Sequence, residues 1–198
     1  MGIIGRLLGG VVLLLILGGG GMFVLAKQAP SVANGLKPVT ASTQAAQSFD
    51  TKVDALNAAA AEAKKTGKAQ SVEVTFTQEE LTSKANGAGS TLTDSGLAIA
   101  DTQVHLAGGN IVATSSVTFQ GFSLNVGVVA TPIVVNGQTQ IVIKEIQTGA
   151  LPIPDAIKQQ LNAQLGQVID PKKLGLPIDV SNLTVVDGKL VVKGQAKP

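Results

Sequence analysis

The chain has few of the residues from which catalytic and metal-binding sites are usually built. Its 198 residues include no Cys, Trp or Tyr, and aromatic residues make up only 3%. Without cysteine there is neither a disulfide nor a thiolate metal site. His105 is the only histidine, and no acidic cluster has the spacing of a carboxylate metal site. Because no hydrolase, phosphate-loop or dinucleotide motif follows a strand, the sequence predicts a protein that is not an enzyme and uses no cofactor.

Formal charge is balanced outside the N-terminus. The 15 basic residues include Arg6 and Lys27, so the rest of the chain carries 13 basic and 13 acidic residues. Arg6 is the only arginine, and no basic run is interleaved with aromatic residues. Phosphate contacts and base stacking need both features. Nucleic acid is therefore not a predicted partner.

Residues 7–26 carry no charge and contain the longest apolar run of the chain. About 20 residues at ~1.5 Å each match a hydrocarbon core of ~30 Å. Arg6 on the short side favours a cytoplasmic N-terminus. The sequence therefore predicts a single-pass anchor that leaves the remainder outside the cell membrane. The alternative is a signal peptide cleaved near Ala26, which would release a secreted protein.

The sequence divides into three parts: an anchor over residues 1–27, a linker over residues 28–47 and an extracytoplasmic domain over residues 48–198. Pro30, Pro38 and scattered small polar residues are typical of a linker.

Two helices are predicted at the start of the domain. The first has Ser48 as its N-cap and ends before Gly67. Its narrow apolar stripe consists of Phe49, Val53, Leu56, Ala60 and Ala63. The second, shorter helix begins with a capping box formed by Thr77 and Glu80. Because successive helical residues do not face each other, Glu79 and Glu80 indicate capping and not acid–base catalysis.

Residues 97–146 alternate apolar and polar side chains, which is the pattern of strands with one buried face. Turn signals interrupt them at Gly108-Gly109, Gln120-Gly121 and Asn136-Gly137. Read as two-residue hairpin loops, all three place the apolar residues on one common face. A one-residue slip at any loop would reverse a strand, so their agreement predicts one antiparallel meander. His105, opposite Val112, falls on the other face.

The C-terminal part combines a helix and a hairpin. Pro152 and Pro154 stop the sheet, and a helix begins after them. Besides the short helix at Thr77, this is the second helix of the predicted domain. Its predicted apolar stripe consists of Ile157, Leu161, Leu165 and Val168. Asp187-Gly188 predicts a closing hairpin that can extend the main sheet. Lys172-Lys173 could meet anionic headgroups, although the pair is also typical of a solvated loop.

Two function classes fit one long sheet with an aliphatic face. If helices leave a groove on that face, the groove suits an acyl chain, which needs dispersion contacts and exclusion of water. If helices fill it, the domain is a structural or interaction module of the envelope that offers a sheet edge to a protein partner. Periodicity alone leaves both open.

Four stretches resemble the LmeA-like phospholipid-binding family: residues 72–81, the meander with its hairpin at Gly121, residues 149–154 and residues 185–194. These are bacterial envelope proteins, similar to the tubular lipid-binding superfamily. The resemblance covers residues 49–194.

This resemblance implies an α+β fold in which a curved antiparallel half-barrel wraps around one long helix, with a second helix and a C-terminal hairpin. It also implies a bound phospholipid or other acyl-chain lipid between sheet and helix. The predicted lipid-lining residues are Phe119, Phe122, Leu124, Val126, Val128, Ile141 and Ile143. Transfer or sensing of lipid would be the expected roles, and no protein partner is identified.

Overall fold

The computed structural model describes residues 29–87, 91–92, 97–119, 122–135, 138–149, 151–152 and 177–197. The predicted anchor, the predicted C-terminal helix and Lys172-Lys173 lie outside the described residues. Among the described helices, none combines the length and the apolar character needed to span a bilayer.

The described chain is an α+β arrangement of two helices and two antiparallel sheets, which confirms the predicted fold class. A short 3-10 turn at Ser31–Ala33 precedes the regular elements. The elements are α1 Thr43–Thr66, β1 Gln70–Thr77, α2 Gln78–Gly87, β2 Thr91–Leu92, β3 Leu97–Ala107, β4 Asn110–Phe119, β5 Phe122–Val135, β6 Gln138–Thr148, β7 Leu151–Pro152, β8 Asp179–Val186 and β9 Lys189–Ala196. The main sheet has the order β2-β3-β4-β5-β6-β7, and the C-terminal sheet has the order β1-β9-β8. Neither of these sheets closes into a barrel.

The long helix α1 begins earlier than predicted. Ser42 is its N-cap and accepts a hydrogen bond from the Ala45 amide at 3.1 Å. The predicted N-cap, Ser48, lies inside the helix and donates to Glu80 instead. The sequence placed the start too late because the apolar stripe begins only at Phe49. The predicted end is confirmed, since Gly67 forms the C-cap with a φ of 67°.

The long helix packs against the C-terminal sheet and α2. The prediction that the meander wraps around this helix is therefore wrong in its placement. The predicted extension of the main sheet by the C-terminal hairpin is also wrong, because β9 pairs with β1. The reason is that β1, β8 and β9 each have one apolar face that matches the Ala-rich stripe of α1. The core that α1 and this sheet share with α2 and β3 consists of Leu56, Ala60, Ala63, Phe76, Leu81, Val104, Leu106, Ile178, Val180, Val185, Val192 and Ala196.

The strand registers of the meander are those that the loops predict. Leu106 pairs with Ile111 across the first loop, and Phe119 pairs with Phe122 across the second. Across the third, Pro132 pairs with Ile141. Two irregularities were not predicted: register shifts between positions 100 and 103 of β3 and beside position 129 of β5.

Residues 29–42, here called the N-terminal strap, cross the face of the main sheet that carries Gly127. This is part of the stretch in which the sequence predicts a linker. At β6 the Gln147 Oε1 accepts hydrogen bonds from the Ser31 hydroxyl and the Val32 amide, each at 3.0 Å. At β3 the Gln103 Oε1 accepts from the Val39 amide at 2.6 Å. Two glutamine side chains thus hold the strap.

The strap crosses the main sheet along one line of directly paired residues. Gln103 pairs with Thr114, Thr114 with Gly127, and Gly127 with Gln147. The strap therefore runs across four strands. A Cβ on Gly127 would overlap Val32 Cγ2 and would lie 2.7 Å from Pro30 Cβ. Glycine in this row leaves the space in which the strap packs.

We expect Gly127→Ala to loosen the strap and leave the rest of the domain folded. Overpacking of this kind costs about 1–3 kcal/mol, and displacement of the strap relieves the overlap. Amide hydrogen exchange should become faster at Val32 and Val39, while β9 amides keep their protection. Unchanged exchange at both strap amides would contradict this account of Gly127.

Candidate functional site

One face of the main sheet, here called the inner face, carries the apolar residues of the meander. Directly opposed residues of antiparallel strands point to the same side, so the registers define this face. Its described apolar members are Ile99, Val104, Leu106, Ile111, Ala113, Val126, Val128, Ala130, Pro132, Val134, Ile141, Ile143 and Ile146. The opposite face, which carries the strap, is here called the outer face.

The structure brings four predicted lining residues together on β5 and β6. Val126, Val128 and Ile143 are buried, with 2%, 8% and 7% of their surface exposed, and Ile141 is half-buried. Strand β8 of the C-terminal sheet approaches β3, β5 and β6. This part of the inner face is therefore an aliphatic wall inside the protein.

The other three predicted lining residues are described only by their backbones. Phe119 pairs with Phe122, and Val117 pairs with Leu124, as predicted. Their side chains lie outside the described part of the structure. Their role in lipid binding stays a prediction.

Sequence reasoning missed Ile146, which is fully buried and pairs with Val128. Strict alternation from Ile143 would have turned Ile146 to the outer face. The register shift adds one residue of β6 at Lys144, which moves Ile146 to the inner face. The sequence did contain a signal for this shift, the charged pair Lys144-Glu145 between Ile143 and Ile146. Because a charged side chain facing an apolar wall is costly, the pair indicates that strict alternation is broken here.

A pair of buried hydroxyls lies on the otherwise apolar inner face. The Thr102 and Ser115 hydroxyl oxygens are 3.0 Å apart, and both residues are almost fully buried. One hydroxyl donates to the other, so both buried oxygen atoms have a hydrogen-bond partner. Ser115 pairs with Val126, which places the hydroxyls beside the aliphatic wall.

Helix α2 fixes the edge of β3, the strand that carries these hydroxyls. The Thr82 hydroxyl accepts from the Val104 amide at 2.9 Å and donates to the Val104 carbonyl at 3.3 Å. Asn86 makes the equivalent pair with Thr102, at 3.0 Å and 2.7 Å. Thr82 and Asn86 are four positions apart on the helix, a rise of about 6 Å. Thr102 and Val104 are two positions apart on the strand, a rise of about 6.6 Å. The two side chains are therefore spaced to bind alternate peptide groups of β3.

The capping box predicted for α2 is confirmed, and it is joined to an ion pair between buried Glu80 and half-buried Lys52. Thr77 Oγ1 accepts from the Glu80 amide at 3.2 Å, and the Thr77 amide donates to Glu80 Oε2 at 2.9 Å. Lys52 of α1 lies 2.7 Å from the same carboxylate, and Ser48 donates to it at 2.5 Å. Burial alone would raise the pKa of Glu80, but the hydrogen bonds from Lys52, Ser48 and Thr77 outweigh burial and lower that pKa. This carboxylate holds the two helices together.

The candidate site offers little chemistry besides apolar contact. Residues 102–143 contain no Asp, Glu, Lys or Arg. His105 is opposite Val112 on the outer face, as predicted, and burial lowers its pKa. In the described part of the chain, no group of three or more His, Cys, Asp or Glu residues could hold a metal ion. The described side chains of the wall offer apolar contacts and carry no formal charge.

A buried aliphatic wall on one face of the main sheet, whose side chains carry no formal charge, defines the site as one suited to an apolar ligand. A family model described as LmeA-like phospholipid-binding matches residues 19–195, nearly the whole chain. The chain therefore belongs to the LmeA-like phospholipid-binding family, which confirms the resemblance. No curated protein matches the chain.

Proposed function

We propose that the chain binds phospholipid or another acyl-chain lipid without chemical conversion, with the hydrocarbon against the inner face. Family membership supports a lipid ligand. The observation that carries the proposal is the wall of Val126, Val128, Ile143 and Ile146, whose side chains are all aliphatic and at most 8% exposed. Each buried CH₂ of a lipid tail would contribute about 0.8 kcal/mol.

The proposal places this domain outside the cell membrane, held there by residues 7–26. Their charge-free composition and the position of Arg6 support a single-pass anchor. A binder held at the membrane could pass lipid onward or sense its supply.

The second candidate function is an envelope module whose core is filled by the protein itself. Val126, at 2% exposure, favours it because this part of the wall is covered by the protein's own chain. The two candidates differ in whether lipid copurifies with the folded protein.

Ile141 on β6 provides the test, and Val186 on β8 provides its control. Ile141 is half-buried on the inner face, whereas Val186 is 51% exposed on the C-terminal sheet. We expect Ile141→Asp to lower the retained phospholipid at least about tenfold, since a loss of about 1.4 kcal/mol changes a dissociation constant tenfold. Val186→Asp, the matched control, should keep the wild-type amount.

Native mass spectrometry of the full chain in detergent micelles measures the retained lipid, and circular dichroism checks that both variants are folded. The anchor is the same in all three proteins, so a difference between them reports on the domain. Equal retention by folded Ile141→Asp and Val186→Asp would remove the inner face as the binding surface. Wild-type protein without retained lipid, and unable to take up added phospholipid, would favour the filled module.

A further inference from the structure

The end of the β5–β6 hairpin exposes apolar side chains in an unusual concentration. Ile133, Val134, Val135 and Val142, here called the hairpin end, are between 36% and 45% exposed. Within the described part of the chain, they are four of the five large apolar side chains that are exposed. Isolated exposed apolar residues are common, but a cluster of this kind marks a contact surface.

The hairpin end is exposed on both faces of the sheet. Ile133 and Val135 alternate with Val134 along β5, so the first two belong to the outer face and the third to the inner face. Val142 pairs with Thr131 and joins the outer face. A ribbon with one face in water normally alternates apolar and polar residues. Apolar exposure on both faces indicates a surrounding medium that is itself apolar.

The hairpin end also projects beyond its neighbour in the sheet. The pairing of β4 with β5 ends at Ile111 and Ala130, whereas β5 and β6 stay paired as far as Val135 and Gln138. The last part of the hairpin is therefore a two-stranded ribbon within the described residues. Such a ribbon is marginally stable in water by itself, and this one contains no formal charge.

We propose that the hairpin end inserts into the surface of a phospholipid bilayer. The position of the strap supports a bilayer and not a second protein as the occupant. Pro30 of the strap lies against Gly127 on the outer face of β5, four residues after the apolar stretch 7–26. Four residues span at most about 14 Å, so the anchor would hold this face close to the membrane.

The geometry allows anchor and hairpin end to reach one bilayer surface. Ile133 follows Gly127 by six residues on the same strand and face, which is about 20 Å. Insertion by about 5–10 Å reaches the boundary between headgroups and acyl chains, where the exposed amide of Gln140 can still meet water. This inference rests on the proposed lipid-binding function and adds the place where the domain meets its lipid.

The absence of Trp and Tyr from the chain provides a clean test. Val135→Trp places a single tryptophan at the hairpin end, and Val186→Trp places one at a 51% exposed valine of β8. Each full chain is reconstituted into vesicles of phosphatidylcholine and phosphatidylglycerol with either plain or brominated acyl chains. Val135→Trp should emit at shorter wavelength and lose fluorescence several-fold in brominated vesicles. Val186→Trp should emit equally in both.

A charge at the hairpin end should reverse this result. Adding Ile133→Asp to Val135→Trp is expected to restore emission in brominated vesicles, because an aspartate resists transfer into the acyl region. Adding Val186→Asp, the matched control, should leave the quenching in place. Unquenched Val135→Trp, equal quenching of Val186→Trp, or a blue shift caused by self-association without vesicles would each overturn the proposal.

The lipid that the same proteins retain in detergent micelles, measured before reconstitution, separates this inference from the proposed function. Bromine quenching at position 135 without retained lipid would count against the binding function alone. Retained lipid without quenching would count against the docking of the hairpin end alone.

Discussion

Gly194→Ala is expected to lower the free energy of unfolding by about 3 kcal/mol, the upper end of the range for overpacking. Gly194 lies on β9, the central strand of the C-terminal sheet, between Val72 and Val180. A Cβ at this position would overlap the carbonyl oxygen of Asp179 and would lie 3.2 Å from Val180 Cα. These are backbone atoms and cannot turn away as a side chain could. The start of β8 would have to move.

Urea unfolding followed by circular dichroism measures this effect, with the midpoint falling at an unchanged slope. Gly87→Ala is the matched control, since a Cβ at Gly87 meets no atom within 4 Å. The control should be neutral or slightly stabilising. A wild-type midpoint for Gly194→Ala would show that β8 can shift at no cost.

Glu80→Gln should destabilise the protein by about 1–3 kcal/mol at neutral pH, because it leaves buried hydrogen-bond donors without their charged acceptor. The carboxylate accepts from Lys52, Ser48 and the Thr77 amide. A glutamine keeps the shape and one carbonyl oxygen, but it brings two N–H donors toward groups that also donate. The contact between α1 and α2 should weaken most.

The pH dependence of stability should identify the same carboxylate. The pKa of Glu80 in the folded protein is lower than its ordinary value of 4.5. Its contribution is therefore complete above that value and is lost as the pH falls through the lower pKa of the folded state. Urea midpoints measured from neutral to acidic pH should decline below about pH 4.5 for the wild type, and this decline should be smaller for Glu80→Gln.

Glu79→Gln is the matched control, because Glu79 is exposed and precedes Glu80 in the first turn of α2. It should follow the wild-type pH profile. Parallel profiles for Glu80→Gln and the wild type would mean that another carboxylate carries the acid sensitivity.

Local sequence patterns were sufficient to predict the strand registers of the meander and the start of α2. Each short loop fixes the register of two strands, and the apolar phase on either side of Gln120-Gly121 reports that register. The capping box of Thr77 and Glu80 is equally local, because its two hydrogen bonds join residues three positions apart. Both predictions are confirmed for this reason.

Long-range contacts account for what the sequence did not show. The hydrogen bond from Ser31 to Gln147 joins residues 116 positions apart, and nothing near Ser31 distinguishes the strap from a linker. The placement of α1 depends on which of two apolar sheet faces accepts its stripe, and periodicity is the same for both. Of the candidate site, four lining residues could be placed on one wall from alternation alone, whereas Ile146 required knowledge of the register shift.

The attachment of α2 along β3 has a consequence for assembly. A protein that recruits a partner by strand addition needs an edge strand whose peptide groups are free. On the edge of β3, the side chains of Thr82 and Asn86 already bind the peptide groups of Val104 and Thr102. Farther along, the Leu106 carbonyl accepts from the Gly188 amide. An incoming peptide would have to displace both side chains and the β8–β9 turn, so this border of the main sheet is closed to such a partner.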